Sequence, residues 1–495
     1  MRQSYWLENY KKTPIPNKRL AKETDILIIG GVMTGISTAY QLKDTGKRIT
    51  LVEAKELGHG VTGFTTAKVS VLHDTLLSSI YKYHGLKKAM LYLESQIEAA
   101  NLIEEIIIKE KINCDYKKED AYLYATTNKE LNKLNKEYNL LKRLGAGIEL
   151  VDDIELPIKI KKAIKYKNNA SFHPLKYLNG IVKILLKSGV SIHENSRVMD
   201  IDDNGTYFNT EFENGDIIKS EIVIVATHYP IMKVMGLYFS KLVQERSYAV
   251  AFETKKVIPG MYINICDPIR SYRNINNKTM ILGGGSHFAG DEIDIDYYNE
   301  LRDAIKNYDN NAKIINEWST EDCMPVDYIP FIGQYSWLSP KVYVATGFQK
   351  WGMTNSHVAA LSISRDILNL DNPYHKLYNP TRCSHIRSFG NFLGFMGKII
   401  VGMVLSRLVI PKDAKANIKI GSGDVIRTEG KTVAVYRKSY NKYLSFKPHC
   451  THLGCNITWN DIDKTWDCKC HGSRFNPDGS VLNEPANKPL ETSTK

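Results

Sequence analysis

The first 370 residues alternate short apolar runs, glycine-rich turns and amphipathic stretches. Residues 25–29 form a continuous apolar run of the kind that fills a buried parallel strand. A glycine turn at 30–35, a helical pattern at 36–42 and a second strand at 48–52 follow, and this strand leads into Glu53. This order predicts a dinucleotide-binding βαβ unit, in which the helix N-terminus points at a pyrophosphate and the acid binds a ribose.

Later segments predict further helices and a second sheet. Amphipathic periodicity favours helices at about 86–109 and 128–144, ahead of a return strand near Ser191. Strand-like segments near 247–252 and 279–282 indicate a sheet that is separate from the sheet of the βαβ unit.

Residues 389–410 are apolar enough to raise the question of a membrane segment. Lys398 lies in the middle of this stretch, Arg407 lies near its end, and four glycines lower its helix propensity. Burying Lys398 at the centre of a bilayer would cost ~3 kcal/mol. We therefore expect a helix in a 371–412 linker that packs on the preceding domain. The alternatives are an interfacial helix, which would make a peripheral membrane contact, and a membrane span.

Composition and charge are those of a soluble globular protein of two or three domains, with 495 residues, 43% of them hydrophobic and 24% charged. The formal net charge is +12, but Lys and Arg are spread along the chain and no basic run is interleaved with aromatic residues. We therefore expect no nucleic-acid partner. The N-terminus has no apolar h-region, so we expect a cytoplasmic location.

Four candidate metal ligands lie near the C-terminus. The first loop reads Cys450-Thr-His452 and the second reads Cys468-Lys-Cys-His471, so each loop offers one Cys and one His. A [2Fe–2S] cluster with two Cys on one iron and two His on the other needs this set. Tetrahedral zinc is the alternative, because it also accepts two Cys and two His, although zinc fingers pair like ligands.

Residues 413–495 resemble a Rieske ferredoxin domain, with a strand-like segment at 432–436 before the first loop and a turn at 476–479 after the second. The resemblance implies an all-β domain with a [2Fe–2S] cluster held by Cys450, His452, Cys468 and His471. It also implies that Ser473 donates its hydroxyl to a bridging sulfide. High-potential relatives have a Tyr where this chain has Phe475. One hydrogen bond fewer predicts a potential in the lower part of the Rieske range.

Two further cysteines, Cys455 and Cys470, lie beside these ligands at fixed offsets, where they are well placed to join the two loops by a disulfide. Such a bond is unusual in a cytoplasmic protein and would need burial beside the cluster. Rieske domains carry their two His ligands at an exposed tip. We therefore expect electrons to leave at His452 and His471, to an electron-acceptor protein or a quinone.

Segments at 60–68, 223–230, 318–333 and 342–354 bring small-residue turns to the ends of predicted strands. With the βαβ unit they resemble the FAD-dependent D-amino-acid oxidase/glycine oxidase superfamily over roughly 24–368. The resemblance implies an α/β FAD-binding Rossmann-like domain and an interleaved α+β substrate domain within residues 1–370. The expected FAD-binding segments are about 20–85, 150–230 and 326–370, and the expected substrate segments are about 86–149 and 231–325. The Rieske domain follows the linker at 413–495.

The same resemblance implies specific cofactor contacts. The residues expected on FAD are Gly30, Gly31, Gly35, Glu53, Thr65, Thr66, Val198, Gly333, Gly347, Trp351, Gly352, Met353 and Thr354. One position departs from the fingerprint, because Val32 replaces the glycine that lets the backbone approach the phosphates. Either Gly31 absorbs the change and FAD still binds, or binding is weakened, or the site is degenerate.

Candidate catalytic residues are Arg270, Arg273, His287 and Lys350. The family implies hydride removal to FAD from a carbon that bears an amine. The two arginines could bind a substrate carboxylate, because an arginine fork matches its geometry, although exposed strand-end arginines are an equally good interpretation. His287 is a candidate base, as are His173 and His228, and Lys350 and Trp351 could flank the flavin.

The combination of flavin and cluster favours a dehydrogenase, which oxidises an amine or amino-acid-like substrate and passes electrons singly through the cluster to an external acceptor. Two alternatives stay open. One is a reductase that runs in the reverse direction, in which the Rieske domain feeds the flavin. The other is a redox relay or sensor without turnover, whose FAD site is weakened by Val32.

Overall fold

The computed structural model of the chain describes residues 3–231, 235–291, 295–382, 418–428 and 431–493. The predicted helix at 389–410 lies outside these residues. The strands of the first 370 residues are β1 (Glu23–Ile29), β2 (Ile49–Val52), β3 (Lys68–Val69), β4 (Lys117–Ala125), β5 (Ile148–Val151), β6 (Lys162–Ser171), β7 (Ser191–His193), β8 (Val198–Asp203), β9 (Phe208–Phe212), β10 (Ile217–Val225), β11 (Leu242–Glu253), β12 (Met261–Asn264), β13 (Arg270–Asn274), β14 (Thr279–Phe288), β15 (Lys313–Pro325), β16 (Phe331–Ser336) and β17 (Ser339–Thr346).

The first sheet has eight strands in the order β16-β17-β10-β1-β2-β7, with β9 joined to β10 and β8 joined to β9. Strand β1 pairs in parallel with both β2 and β10, and β10 pairs in parallel with β17. Ile26, Leu27 and Ile28 of β1 are fully buried, as expected of a central parallel strand covered on both faces. The predicted βαβ unit is confirmed.

The second sheet has nine strands in the order β15-β11-β14-β13-β12-β4-β6-β3, with β5 joined to β6. It contains the predicted strand segments near 247–252 and 279–282, within β11 and β14, which pair antiparallel. The prediction of a separate sheet is therefore confirmed, and its strands come from segments that alternate along the chain with those of the first sheet.

The helices are α1 (Tyr5–Glu8), α2 (Met33–Leu42), α3 (Leu76–His84), α4 (Leu86–Lys109), α5 (Asn128–Arg143), α6 (Pro174–Lys187), α7 (Tyr297–Tyr308), α8 (Gly352–Ile367) and α9 (His375–Tyr378), with 3-10 turns at Val61–Phe64 and Met235–Ser240. Helix α5 begins with a capping box, in which Thr127 and Glu130 satisfy each other's backbone N–H groups. Over the part of the chain that the structure describes, none of the helices combines the length and the apolar character that a bilayer crossing requires.

The C-terminal strands are β18 (Gly423–Thr428), β19 (Lys431–Ser439), β20 (Lys442–Phe446), β21 (Ile457–Asn460), β22 (Thr465–Cys468), β23 (Arg474–Phe475) and β24 (Val481–Asn483). They form a three-stranded sheet, β18-β19-β20, and a four-stranded sheet, β21-β22-β23-β24. Ala434, Trp466, Phe475 and Ala486 are fully buried between them. This arrangement is the predicted all-β domain.

Candidate active site

The four candidate metal ligands lie in two loops that meet at one end of the C-terminal domain. The first loop joins β20 to β21 and the second joins β22 to β23. A disulfide between Cys455 and Cys470 links the loops, as predicted. The rings of His452 and His471 stand edge to face, with 5.2 Å between their centroids.

The donor set fits an iron–sulfur cluster. Both ring nitrogens of His471 are buried without a hydrogen-bond partner among the described residues, and burial lowers its pKa to about 4. The ring is therefore neutral, which is the form that binds a metal. Hydrogen bonds from Cys468 and Ser473 lower the pKa of Cys450, whereas the contact with Cys450 and burial raise the pKa of Cys468, so Cys450 is the first of the two thiols to ionise. Thiolate is the form of cysteine that binds iron.

The histidine end of this domain is covered, contrary to the expectation of an exposed tip. His452 and His471 keep only 8% and 4% of their surface exposed. Tyr229 packs on His452 with 6.1 Å between ring centroids, and Phe239 packs on His471 at 6.3 Å. Both aromatic residues come from the N-terminal unit. The expectation of an exposed histidine edge is therefore wrong for this arrangement of the domains.

A buried charge cluster holds the two units together. Arg246 of β11 donates to Asp467 at 2.9 Å and to Glu321 of β15 at 2.6 Å. Arg474 donates to Asp463 at 2.9 Å and to Asp467 at 3.2 Å. Burying charged groups costs little free energy only when close, hydrogen-bonded contacts between opposite charges offset the loss of water, as they do here.

Two glycines let the units approach closely. Gly290 has φ +85°, and a Cβ on this residue would collide with the backbone carbonyl of Cys468. Gly472 has φ +75°, and its Cβ would lie 2.9 Å from Ala289 and from the side-chain oxygen of Gln244. The loop that carries His471 thus rests directly on the N-terminal unit.

The turn between β1 and α2 has the form of a dinucleotide site. Gly30 has φ +114°, and a Cβ there would collide with the carbonyl of Ala226. Gly35 packs directly on the backbone of Gly30. The N–H of Gly31 donates to the Glu53 carboxylate at 2.7 Å. Burial raises the pKa of Glu53, and the backbone hydrogen bonds oppose that shift.

Val32 is accommodated at the start of α2. Its backbone is extended, with φ −97° and ψ −173°, a conformation open to any residue. Its side chain lies against Gly60 and forms part of a cavity wall. The turn therefore keeps its geometry, and Val32 takes up space at the edge of the cavity.

A cavity of about 410 Å³ opens at the carboxyl ends of β10 and β17 and is roofed by the second sheet. This is where ligands bind in open α/β sheets. Of the predicted cofactor residues, its lining includes Thr65, Thr66, Trp351, Gly352 and Met353. Val198, Gly333, Gly347 and Thr354 lie outside the lining, as do Gly30, Gly31, Gly35 and Glu53 of the β1–α2 turn.

The predicted catalytic residues do not all meet at this cavity. Arg270 pairs with Glu300 at 3.3 Å, and Arg273 is buried, where it donates to backbone carbonyls that include that of Ala67. Neither arginine is among the lining residues, so the hypothesis that they bind a substrate carboxylate is not supported. His287 also lies outside, where its ring hydrogen-bonds the hydroxyl of Tyr248 at 2.9 Å.

Lys350 and His228 do line the cavity. Lys350 has φ +70°, and its ammonium lies 3.0 Å from Glu245 and donates to Ser286 at 2.8 Å. His228 has φ +65° and follows β10, and burial lowers its pKa to about 4. Its backbone carbonyl accepts a hydrogen bond from Thr346 at 2.5 Å.

The sequence patterns did not indicate several charged or titratable lining residues, which include Lys68, His73, Asp74, Glu245 and Asp322. The His73 ring stacks on Trp351 with 4.4 Å between centroids and an angle of 14° between planes. His73 and Asp74 are neighbours in a stretch without a motif. Lys68 and Asp322 lie within the segments 60–68 and 318–333, which the family resemblance singled out.

Comparisons with known proteins agree with both units. A family model described as FAD dependent oxidoreductase matches residues 25–365, and one described as Rieske [2Fe-2S] domain matches residues 409–494. The "Putative Rieske 2Fe-2S iron-sulfur protein YhfW" of Bacillus subtilis (strain 168) is 34% identical over 494 residues, which cover 99% of this chain and 97% of that protein.

Two further proteins resemble the N-terminal unit. The gamma-glutamylputrescine oxidoreductase of Escherichia coli (strain K12) is 21% identical over 357 residues, 69% of this chain and 82% of that protein. The crystal structure of glycine oxidase from Geobacillus kaustophilus matches with a TM-score of 0.63 at 15% identity, over 73% of this chain and 99% of that chain. The last match shows the fold alone.

These matches decide between the alternatives for the cofactors. The C-terminal domain belongs to a family that binds a [2Fe–2S] cluster and not zinc, and the turn with Val32 belongs to a family that binds FAD. The chain is a member of the FAD-dependent oxidoreductase family of the D-amino-acid oxidase type, and it carries a C-terminal Rieske domain.

Proposed function

We propose that the chain is a dehydrogenase that oxidises an amine or amino-acid-like substrate at FAD and passes the electrons through the Rieske cluster to an external protein or quinone. Bound FAD accepts a hydride from the substrate, and the cluster carries electrons one at a time. The names of two relatives, a glycine oxidase and a gamma-glutamylputrescine oxidoreductase, support a substrate that bears an amine.

One observation supports the proposal most directly: two consecutive residues contact the cavity and the cluster site. His228 lines the cavity, and its neighbour Tyr229 packs on the cluster ligand His452. Tyr229 is 3% exposed, so its ring excludes water from the space between the two cofactor sites. A hydrophobic shell of this kind controls solvent access to a metal site and its potential.

The residues around the cavity would orient the substrate and the flavin. Trp351 and His73 stack to form a flat wall, and the N-terminus of α8 begins beside them at Gly352. A helix N-terminus favours negative charge, which suits a reduced, anionic flavin ring. Thr65 and Thr66 supply small polar contacts on the opposite segment.

Anaerobic spectroscopy tests the proposal. Purified protein with both cofactors is mixed with a panel of amines and amino acids while the flavin absorption is followed. We expect one chemical class to bleach the flavin bands, with electrons then recovered by an added one-electron acceptor.

Two outcomes would contradict the proposal. If no compound bleaches the flavin but a donor to the cluster does, the chain is a reductase that runs in the opposite direction. If FAD is lost on gel filtration while the cluster stays intact, the relay hypothesis holds. A Cys468→Ser variant, which removes a cluster ligand, is the matched control. Its flavin bands should still bleach with substrate, and no electrons should reach the added one-electron acceptor.

A further inference from the structure

The charged residues on the cavity wall distinguish substrates with a carboxylate beside the amine from amines without one. The acidic lining residues are Asp74, Glu245 and Asp322, and the basic ones are Lys68 and Lys350. Within the described part of the chain no arginine lines the cavity. A site for an α-amino acid needs a cation that is free to pair with the substrate carboxylate.

Neither lysine offers an unpaired, full positive charge for that role above about pH 7. Lys350 lies 3.0 Å from Glu245 and also donates to Ser286, so its charge is already paired. Lys68 hydrogen-bonds the neutral hydroxyl of Ser271 at the roof of the cavity, and burial lowers its pKa to about 7, so above that pH it is mostly uncharged. Because Lys350 pairs with Glu245, Asp74 and Asp322 are the acidic lining residues without an ion-pair partner in the described part of the chain.

Three polar atoms at the cavity point to a ligand. Oδ1 of Asp74, Oγ of Ser247 and Oγ1 of Thr320 are buried without a hydrogen-bond partner among the described residues. Ser247 and Thr320 are direct neighbours across β11 and β15. Buried polar atoms without partners are costly, so a bound group that donates several hydrogen bonds would stabilise this wall. An ammonium group offers three such bonds.

We infer that the cavity accepts a cationic aliphatic amine that carries no carboxylate beside the amine, and that Asp74 and Asp322 bind its positive charge. This inference rests on the proposed function and specifies its substrate class. The amine faces hydroxyl and carboxylate acceptors, whereas a substrate carboxylate would face the same groups at the cost of charge repulsion.

The charges also fix how binding depends on pH. Burial raises the pKa of Asp74 to about 7 and that of Asp322 to about 6, and it lowers the pKa of Lys68 to about 7. The other groups that face the cavity are Glu245, Lys350, His73 and His228, and burial keeps both histidines neutral. As pH rises through 7 the wall becomes more negative. A cationic ligand therefore binds more tightly, and an anionic ligand more weakly.

The test compares two ligands that differ only in the carboxylate. 1,4-Diaminobutane and ornithine are each added to the anaerobic protein with both cofactors, and binding is read from the immediate shift of the flavin bands and from equilibrium dialysis. We expect the diamine to bind about tenfold more tightly than ornithine, since one charged contact is worth roughly 1.4 kcal/mol. Its affinity should rise between about pH 6 and about pH 8.

Two variants test the named residues. Asp74→Asn and Asp322→Asn should each weaken diamine binding about tenfold and leave the cluster spectrum unchanged. Glu149→Gln, at an ion pair with Lys167 on the surface, is the control and should have no effect.

The result that overturns the inference is ornithine binding as tightly as the diamine, affinity that falls as pH rises, or no response to either aspartate variant. Reduction of the flavin by ornithine alone would reject the substrate class and leave the proposed function intact. Tight binding of the diamine without any flavin reduction would reject the proposed function and leave the inferred ligand class intact.

Discussion

The ring of Tyr229 stands edge-on to the imidazole of His452, with 6.1 Å between centroids and an angle of 81° between planes. Tyr229 belongs to the turn that follows the central strand β10, and His452 is a predicted ligand of the cluster. This contact places the histidine edge of the Rieske domain against the wall of the flavin cavity. The arrangement suits electron transfer within one chain more than transfer from an exposed tip.

Replacing Tyr229 tests this contact as a positioning element. We expect Tyr229→Leu to slow the appearance of the reduced cluster after substrate is mixed with the anaerobic protein, because the ring that fills the gap is lost. Tyr229→Phe keeps the ring and removes a hydroxyl that has no hydrogen-bond partner among the described residues, so it should transfer at the original rate. Rapid-freeze electron paramagnetic resonance measures both rates. Equal rates in all three proteins would rule out a role for the ring.

The buried charge cluster predicts a large cost for Arg246→Met. The substitution leaves Glu321 and Asp467 buried with Arg474 alone in place of two arginines, at a cost of about 3–5 kcal/mol in the free energy of unfolding. Lys447→Met, in an exposed pair with Glu491, is the control and should change the free energy of unfolding by only a small fraction of that amount. Urea unfolding at matched cofactor content measures the difference. Similar losses in the two variants would show that the cluster does not join the units.

The buried carboxyl group of Glu137 is expected to make the folded chain less stable as pH rises. Burial raises its pKa to about 7, and the N–H of Ser78 donates to it at 2.9 Å. Between about pH 4.5 and about pH 7 the unfolded chain has released this proton and the folded chain retains it, so rising pH favours unfolding. Glu137→Gln keeps the acceptor oxygen and cannot ionise.

We therefore expect Glu137→Gln to raise the urea midpoint at about pH 7.5 and to leave it unchanged near about pH 4. The comparison needs only unfolding curves at the two pH values. A gain of equal size at both pH values would mean that ionisation of Glu137 is not the cause.

The turn between β1 and α2 predicts opposite outcomes for two neighbouring residues. Gly30→Ala should abolish FAD binding, because φ is +114° and the added Cβ collides with the carbonyl of Ala226. Val32→Gly should change FAD affinity by less than about tenfold, since the Val32 backbone is already extended and the glycine adds only chain freedom. FAD retained after gel filtration reports both effects. Loss of FAD from Val32→Gly but not from Gly30→Ala would contradict these roles for the two residues.

The sequence predicted features that depend on local pattern. Helix α4 was expected at about 86–109 and spans Leu86–Lys109, because its amphipathic period is uninterrupted. The Cys455–Cys470 disulfide follows from spacing within two short loops. Features that depend on packing between distant segments were missed. Asp74 and Asp322 meet at the cavity from different elements, and the covered face of His452 requires a partner surface that no local pattern encodes.

Electron transfer from flavin to cluster is tested most directly by electron paramagnetic resonance of the cluster during an anaerobic titration with substrate amine and no other reductant. We predict that the signal of the reduced cluster grows as the flavin bands bleach, in proportion to substrate added. A flavin that bleaches while the cluster stays oxidised until a chemical reductant is added would contradict it.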